Sequence, residues 1–340
     1  MKKIRFAIIG CGRIAPKHAE AIKKNSAAEL VMVCDVLSER AKSFAEKYDA
    51  PWTTDYTDIA YNPDVDVVSI CTPSGLHAKM GRNFAALNKN ILVEKPMALD
   101  IRDAKGLINT CAHYNVALGV ILQNRYNFPM KDLKREIENK TLGRLLMISS
   151  GVRWYRPERY YDDVWHGTKG MGGGVLLNQA CHHLDALEWI GGPIESVKAY
   201  HGTLARKIEC PDAVVASFKF KNGALGMLEA SVLSYPKNVE GSITVMGTNG
   251  TVKVGGHSLN EKEIWRIGGA LDEEINILDL SRRDTRDVYG RGHKYQYADF
   301  IRALLVKGKP KPDGIDGIKS LRLALAIHEA AEENREVIVE

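Results

Sequence analysis

Arg5-Phe6-Ala7-Ile8-Ile9-Gly10-Cys11-Gly12-Arg13-Ile14-Ala15-Pro16-Lys17-His18-Ala19-Glu20-Ala21-Ile22 reads as strand, glycine turn, helix. The apolar run Phe6 to Ile9 meets Gly10, which allows a tight turn, and Gly12, which lets the backbone approach a pyrophosphate closely. Ala15 stands at the third small position, where the helix packs on the strand. Ile14, His18, Ala21 and Ile22 then share one helical face. Pro16 is tolerated in the first helical turn, and the helix N-terminus offers free N–H groups to phosphates.

Glycines in this spacing also occur in unrelated α/β turns, so the surroundings matter. A second apolar run, Glu29 to Cys34, ends at Asp35. That is where an acid that takes the adenosine ribose hydroxyls belongs. The other reading of Asp35 is a helix cap. An acid here favours NAD over NADP, because it repels a 2′-phosphate; Arg40 on the next helix can offset this.

The pattern continues outward. Ser38 is the expected N-cap of a helix to about Tyr48. Asp64 to Ile70 is a buried strand that ends in Cys71-Thr72-Pro73-Ser74-Gly75, and His77 opens the next helix. Asn90 to Val93 is a strand ending in Glu94-Lys95-Pro96; a helix from Asp100 to Tyr114 leads to a strand over Val116 to Leu122. Alternation of this kind predicts a parallel sheet with right-handed crossovers, a Rossmann domain over residues 1–122. Ligand residues belong at the strand C-termini, where Gly10–Gly12, Asp35, Thr72-Pro73 and Glu94-Lys95 all fall.

From Gln123 the texture changes. A helix over Pro129 to Asn139 precedes strand-like runs at Leu145–Val152, Ile194–Tyr200, Ala213–Phe220, Ala224–Val232 and Glu240–Met246. Asn222-Gly223 and Asn249-Gly250 mark tight hairpins. One helix is expected over Val175 to Trp189, and two more, His293–Lys307 and Asp316–Asn334, close the chain. Residues 123–340 are therefore expected to form an α+β domain with a large, mostly antiparallel open sheet. Helices cover one face; the other is solvated or used for association.

The 340 residues suit two domains. The net charge of +5 has no long basic run behind it, so it points to anionic small ligands or to solubility, and away from nucleic acid. The six cysteines, Cys11, Cys34, Cys71, Cys111, Cys181 and Cys210, form no CxxC pair and read as reduced, in a cytoplasmic protein. No run of eighteen apolar residues exists to span a membrane.

Lys95 at a strand end is well placed to touch a substrate. Its ammonium can polarise an oxygen or, with a lowered pKa, take a proton; the alternative is a solvated strand-end lysine. Gly172-Gly173-Gly174 precedes the helix carrying Asn178, His182 and Asp185, spaced i, i+4, i+7 on one face. The triple glycine suggests close approach to a ligand. His182 is the natural proton carrier near neutral pH, with Asp185 or another acceptor on its second nitrogen; a capped helix with a satisfied histidine is the alternative. No HExxH or cysteine pairing supports a zinc site. Arg153-Trp154-Tyr155-Arg156-Pro157, with Tyr160 and Tyr161, mixes cations that grip diphosphate or carboxylate with aromatics that stack on a base or sugar, or else forms an aromatic core or dimer surface. Trp165 and His166 lead into the glycine run. Gln123-Asn124-Arg125-Tyr126-Asn127 is a polar cluster at the domain junction that reaches nicotinamide or substrate, or caps a helix.

Together GCGRIA, Asp35, CTPSGLHA, EKP, QNRYNFP and GGGVLLNQACHHLD make the chain resemble the Gfo/Idh/MocA oxidoreductases over nearly its whole length. The resemblance implies a nicotinamide between two domains and dimers or tetramers through the C-terminal sheet. It implies Lys95 and His182 as catalytic residues. It implies a cofactor set of Gly10, Gly12, Arg13, Ile14, Asp35, Arg40, Thr72, Pro73, His77, Glu94, Lys95, Gln123 and Trp165. Substrate is expected at Lys95, Arg125, Arg153, Tyr155, Arg156, Tyr160, Asn178 and His182. Asn178 stands where the family often has aspartate; it cannot act as a carboxylate base, which shifts weight to Lys95 and His182. IAPKHAEAI and WYRPERYY look most like the nucleotide-sugar branch, which includes the 3-dehydrogenases of UDP-N-acetylglucosaminuronic acid in surface polysaccharide synthesis. That implies NAD-dependent oxidation of a sugar hydroxyl to a ketone. The alternatives are a free polyol or inositol dehydrogenase, an NAD-dependent glycosidase, and a non-catalytic NAD or sugar sensor.

Overall fold

The computed structural model describes residues 3–268 and 290–339. Its contacts divide the chain into two compact units. Met1–Leu122 with His293–Ile318 makes the first; Gln123–Gly292 with Lys319–Glu340 makes the second.

The first unit is built on a six-stranded parallel sheet of β1 (Ile4–Ile9), β2 (Ala28–Cys34), β3 (Trp52–Thr53), β4 (Val67–Ile70), β5 (Asn90–Val93) and β6 (Leu118–Val120), in the order β3-β2-β1-β4-β5-β6. The crossovers carry α1 (Ala15–Lys23), α2 (Ser38–Tyr48), α3 (Tyr56–Ala60), α4 (His77–Ala85) and α5 (Ile101–His113). This is the Rossmann order, with its switch point between β1 and β4. Phe6, Ala7 and Ile8 on β1 and all four residues of β4 are fully buried or nearly so, as a sheet covered on both faces requires. The backbone stitches the strand ends together: Gly10 donates to the Cys34 carbonyl at 2.8 Å and Cys71 to the Ile9 carbonyl at 2.7 Å. The sequence places the α2 cap at Ser38, but Leu37 is the N-cap and Ser38 the first helical residue. The Asp35 carboxylate accepts from the Leu37 N–H instead.

One boundary differs from the sequence reading. Residues 293–318, assigned above to a domain of 123–340, lie in the first unit. The helices that close the chain are α9 (Gly292–Leu305) and α10 (Gly314–Glu332). Tyr297, Phe300 and Ile301 of α9 join Phe6, Ile8 and Val33 in the core beside the parallel sheet. Gly119 on β6 is needed there, since a Cβ would sit 2.8 Å from Phe300 Cδ2. Burial of three large side chains holds the returning segment; linear order does not.

The second unit holds α6 (Phe128–Glu138), β7 (Leu145–Arg153), α7 (Gly174–Asn178), α8 (Cys181–Gly191), β8 (Ile194–Gly202), β9 (Ala213–Phe220), β10 (Leu225–Ser231), β11 (Glu240–Gly247), β12 (Gly250–Gly255), β13 (Glu261–Ile267) and β14 (Val337–Ile338). Its eight strands run β13-β12-β11-β7-β10-β9-β8-β14. The β7–β10 pair is parallel and the remaining pairs antiparallel. Both Asn-Gly pairs fall at hairpins, joining β9 to β10 and β11 to β12. Alternation along β9 and β10 buries one face, with α8 packed on β7 and β11. The opposite face exposes Met147, Leu225 and Met246, which stand in register across β10, β7 and β11.

Candidate active site

The candidate ligand edge of the first unit is formed where β1, β2 and β4 end. Gly10 adopts φ +91°, and a Cβ there would lie 2.6 Å from the Cys71 carbonyl oxygen. Only glycine lets the turn rest on the end of β4. Above Gly12 a Cβ would meet nothing within 4 Å, so that side of the turn is open to a ligand. The Asp35 carboxylate braces the turn: Oδ2 accepts from the Cys11 N–H and Oδ1 from the Leu37 N–H, each at 2.9 Å. Each oxygen keeps a lone pair for a hydroxyl donor. Burial, with Asp35 beside it, pushes the Cys11 thiol up to about 12 and leaves it unreactive. Arg13 and Arg40 are exposed beside these turns, and Ile14 is the N-cap of α1. Across the switch point Thr72 Oγ1 is buried with no hydrogen-bond partner among the described residues, and Pro73 follows it. An open glycine turn, a helix N-terminus, a braced acid and an orphaned hydroxyl fit a dinucleotide.

The Glu94-Lys95-Pro96 segment follows β5, and its Lys95–Pro96 bond is cis. His77 sits between two main-chain carbonyls, Nδ1 at 2.7 Å from Pro96 and Nε2 at 2.8 Å from Thr72. Burial lowers the His77 pKa against the pull of those two carbonyls, each of which can only accept an N–H from the ring. The Glu94 carboxylate is likewise engaged inside the protein, by His18 at 2.9 Å and by the Lys95 N–H at 3.1 Å. Both side chains were expected at the cofactor; their polar atoms are committed to the scaffold that carries Lys95.

In the second unit the helix expected over Val175–Trp189 is broken. α7 ends at Asn178 and α8 starts at Cys181, because the Ala180 N–H reaches back to the Val175 carbonyl at 2.8 Å, one residue beyond the α-helical partner. Asn178 therefore ends one helix while His182 and Asp185 lie on the next. The triple glycine is crowded by protein. A Cβ on Gly172 would lie 2.5 Å from the Trp165 carbonyl oxygen, and one on Gly174 2.6 Å from Cys210 Cβ. Gln123 Nε2 faces His182 Nε2 at 3.0 Å, which leaves that ring nitrogen as the acceptor when the amide donates. Asp185 binds Arg125 bidentately, at 2.6 and 2.9 Å, and the guanidinium lies over the Trp189 ring. That pair is buried, so Arg125 carries an internal charge.

The basic-aromatic segment separates into two uses. Arg153 is held by Glu229 and Glu240 on the neighbouring strands. Arg156 stacks on Trp154 and Tyr160 and donates to the Tyr155 carbonyl and to Asn238 Oδ1, which also takes the Tyr155 N–H. Tyr160, His166 and Trp165 stack in turn, with ring centroids 4.1 and 3.7 Å apart, and His166 Nδ1 lies 2.5 Å from Asp163. These rings adjoin a cavity of about 460 Å³ lined by Tyr161, His166, Thr168, Arg206 and Lys207. The sequence reading missed Arg206. Its loop is pinned by the fully buried Asp212, whose carboxylate accepts from the N–H groups of Leu204, Ala205 and Arg206 at 2.8 to 2.9 Å. No local motif announces that turn. Among the described residues, one trio could hold a metal ion: His18, Glu94 and His293.

The model of the oxidoreductase family with an NAD-binding Rossmann fold matches residues 4–122, and that of the GFO/IDH/MocA C-terminal domain matches 130–253. WlbA dehydrogenase of Bordetella pertussis, solved with NADH and UDP-GlcNAcA, is 36% identical over 100% of this chain and 98% of its own, with a TM-score of 0.93. The chain belongs to the Gfo/Idh/MocA oxidoreductase family. WlbA of Chromobacterium violaceum, solved with the same two ligands, is 39% identical over 100% of this chain and 97% of its own, at a TM-score of 0.91. A myo-inositol 2-dehydrogenase of Thermotoga maritima is 27% identical over 99% of both chains. The family membership makes the chain an NAD-dependent oxidoreductase, with residues 4–122 as its NAD-binding fold. No helix among the described residues is long and apolar enough to cross a membrane.

Proposed function

We propose that the enzyme oxidises the C3 hydroxyl of UDP-N-acetylglucosaminuronic acid to a ketone with NAD, in the synthesis of a surface polysaccharide. The observation that carries this reading is full-length similarity at 36% and 39% identity to two dehydrogenases solved with NADH and UDP-GlcNAcA. The inositol dehydrogenase, at 27%, lies further away.

Bound NAD supplies the hydride acceptor. The Gly10–Gly12 turn and the N-terminus of α1 would hold its diphosphate, and Asp35 would take the adenosine ribose hydroxyls with the lone pairs left by its two N–H contacts. Of Lys95 and His182, one takes the proton of the reacting hydroxyl while the other stabilises charge developing on its oxygen. The Gln123 amide donates to Nε2 of His182, which puts the neutral ring's proton on Nδ1 and fixes the ring. Asn178 hydrogen-bonds a sugar hydroxyl. Arg156, on its aromatic platform, is the cation of the basic-aromatic segment that meets diphosphate or carboxylate, because Arg153 is already paired with two carboxylates. The apolar row Met147, Leu225 and Met246 on the open sheet face supports a homo-oligomer, a dimer or tetramer, formed there.

A panel of UDP-sugars and free polyols with NAD, read by nicotinamide absorbance and by product mass, tests this. Ketone formation from UDP-GlcNAcA is expected. Turnover of free inositol alone would move the enzyme to the polyol reading.

A further inference from the structure

We propose that Glu94 is a positioning residue for Lys95, and that the buried chain Ser69–Tyr297–His18–Glu94 fixes the main chain from which Lys95 meets the substrate. This rests on Lys95 acting on the substrate as set out above.

Four elements of the first unit converge here. Ser69 lies on β4, His18 on α1, Tyr297 on α9 and Glu94 just past β5; the first three are 0% exposed and Glu94 7%. Ser69 Oγ lies 2.7 Å from Tyr297 OH, which lies 2.7 Å from His18 Nδ1. His18 Nε2 lies 2.9 Å from Glu94 Oε1, and the other carboxylate oxygen accepts the Lys95 N–H at 3.1 Å. Burial pushes the Glu94 carboxyl up; the hydrogen bond from His18 outweighs it and holds the carboxyl well below the usual carboxylate range. A carboxylate only accepts, so Nε2 of His18 carries a proton. With a neutral ring, Nδ1 accepts from Tyr297 and Tyr297 accepts from Ser69. Every donor and acceptor in the chain is then used once, in one direction.

The other groups facing the carboxylate are His293 on α9, Cys71 after β4 and His77 on α4, with Lys17 of α1 acting on His293. His293 Nε2 stands 3.6 Å from Glu94 Oε1, too far for a hydrogen bond. On the far side of Lys95, His77 holds the Pro96 carbonyl. Lys95 is thus gripped at its own N–H and at the carbonyl of the next residue. Burying a carboxylate is costly where an apolar side chain of similar size is not. Orientation of Lys95 accounts for keeping one here.

Glu94→Gln tests the proposal: it removes the carboxylate charge and sets an NH2 donor against His18 or Lys95, an arrangement satisfied only if His18 shifts its proton to Nδ1 and the hydroxyl chain reverses. Two readouts are taken on the full chain: kcat and KM with NAD and UDP-GlcNAcA, and amide hydrogen exchange at Lys95, which needs no substrate. We expect kcat to fall about 30-fold while KM for NAD stays within about twofold, and Lys95 exchange to quicken about tenfold. Tyr297→Phe removes one hydroxyl two links away and keeps the test alive if Glu94→Gln fails to fold; its expected loss in kcat is about threefold. Unchanged kcat and unchanged exchange in the folded variants overturn the proposal. So does one equivalent of bound metal that is lost in His293→Ala, since the trio would then be a metal site. Faster Lys95 exchange in a protein that oxidises no UDP-sugar leaves the clamp standing and removes the substrate reading.

Discussion

The two sheets meet opposite demands. The parallel sheet of the first unit is buried on both faces, and the candidate residues Gly10, Asp35, Thr72 and Lys95 follow its strand ends along one edge. The mixed sheet of the second unit buries one face and leaves Met147, Leu225 and Met246 exposed on the other. Topology fixes the site in the first case. In the second, side-chain networks place the polar groups, and one sheet face stays exposed.

The largest expected effect belongs to the two residues proposed to act on the substrate. Lys95→Ala and His182→Asn should each lower kcat about a thousandfold while NADH still binds, as titration of nicotinamide fluorescence will show. Equal loss of NADH binding would make them cofactor residues only. Next comes the parallel edge: Asp35→Ala should weaken NAD about 10- to 100-fold, measured by the same titration, and narrow the gap to NADP. Indifference of NAD affinity would leave Asp35 as a brace for Cys11 and Leu37 alone.

The open face gives a qualitative effect. Leu225→Glu, which sets a charge beside Met147, should lower the oligomeric state seen by light scattering while leaving the fold intact. An unchanged mass would move the interface elsewhere.

The smallest effect concerns stability. Burial lowers His183 on α8 from 6.5 to about 4, and neither ring nitrogen has a hydrogen-bond partner among the described residues. The folded value lies below the unfolded one, so the unfolded chain binds the proton first. Stability from the neutral ring is therefore full above 6.5 and drains away as pH falls toward about 4. The drop is on the order of 3 kcal/mol. His183→Leu should shrink the decline in melting temperature across that window.

What could be read without coordinates follows the same divide. The strand ends before Gly10, Asp35 and Glu94 were legible because strands alternating with helices set where each strand of a parallel sheet stops in chain order. The return of Tyr297 and Phe300 to the first unit was not, since nothing in the sequence links residues almost 300 positions apart to Phe6. His18 showed only as a member of an apolar helical face; its bond to Glu94 depends on tertiary packing. Arg153 and Arg156 look alike in sequence, yet two glutamates on neighbouring strands occupy one and not the other. The break between Asn178 and Cys181 follows from a single backbone hydrogen bond that spacing does not encode.

Hydride transfer from the sugar is the central claim, and deuterium follows it directly. UDP-GlcNAcA labelled with deuterium at C3 should yield cofactor, released from the protein by acid, that carries the label at nicotinamide C4 by mass spectrometry. Unlabelled reduced cofactor, or oxidised cofactor with no ketone formed, would contradict the account.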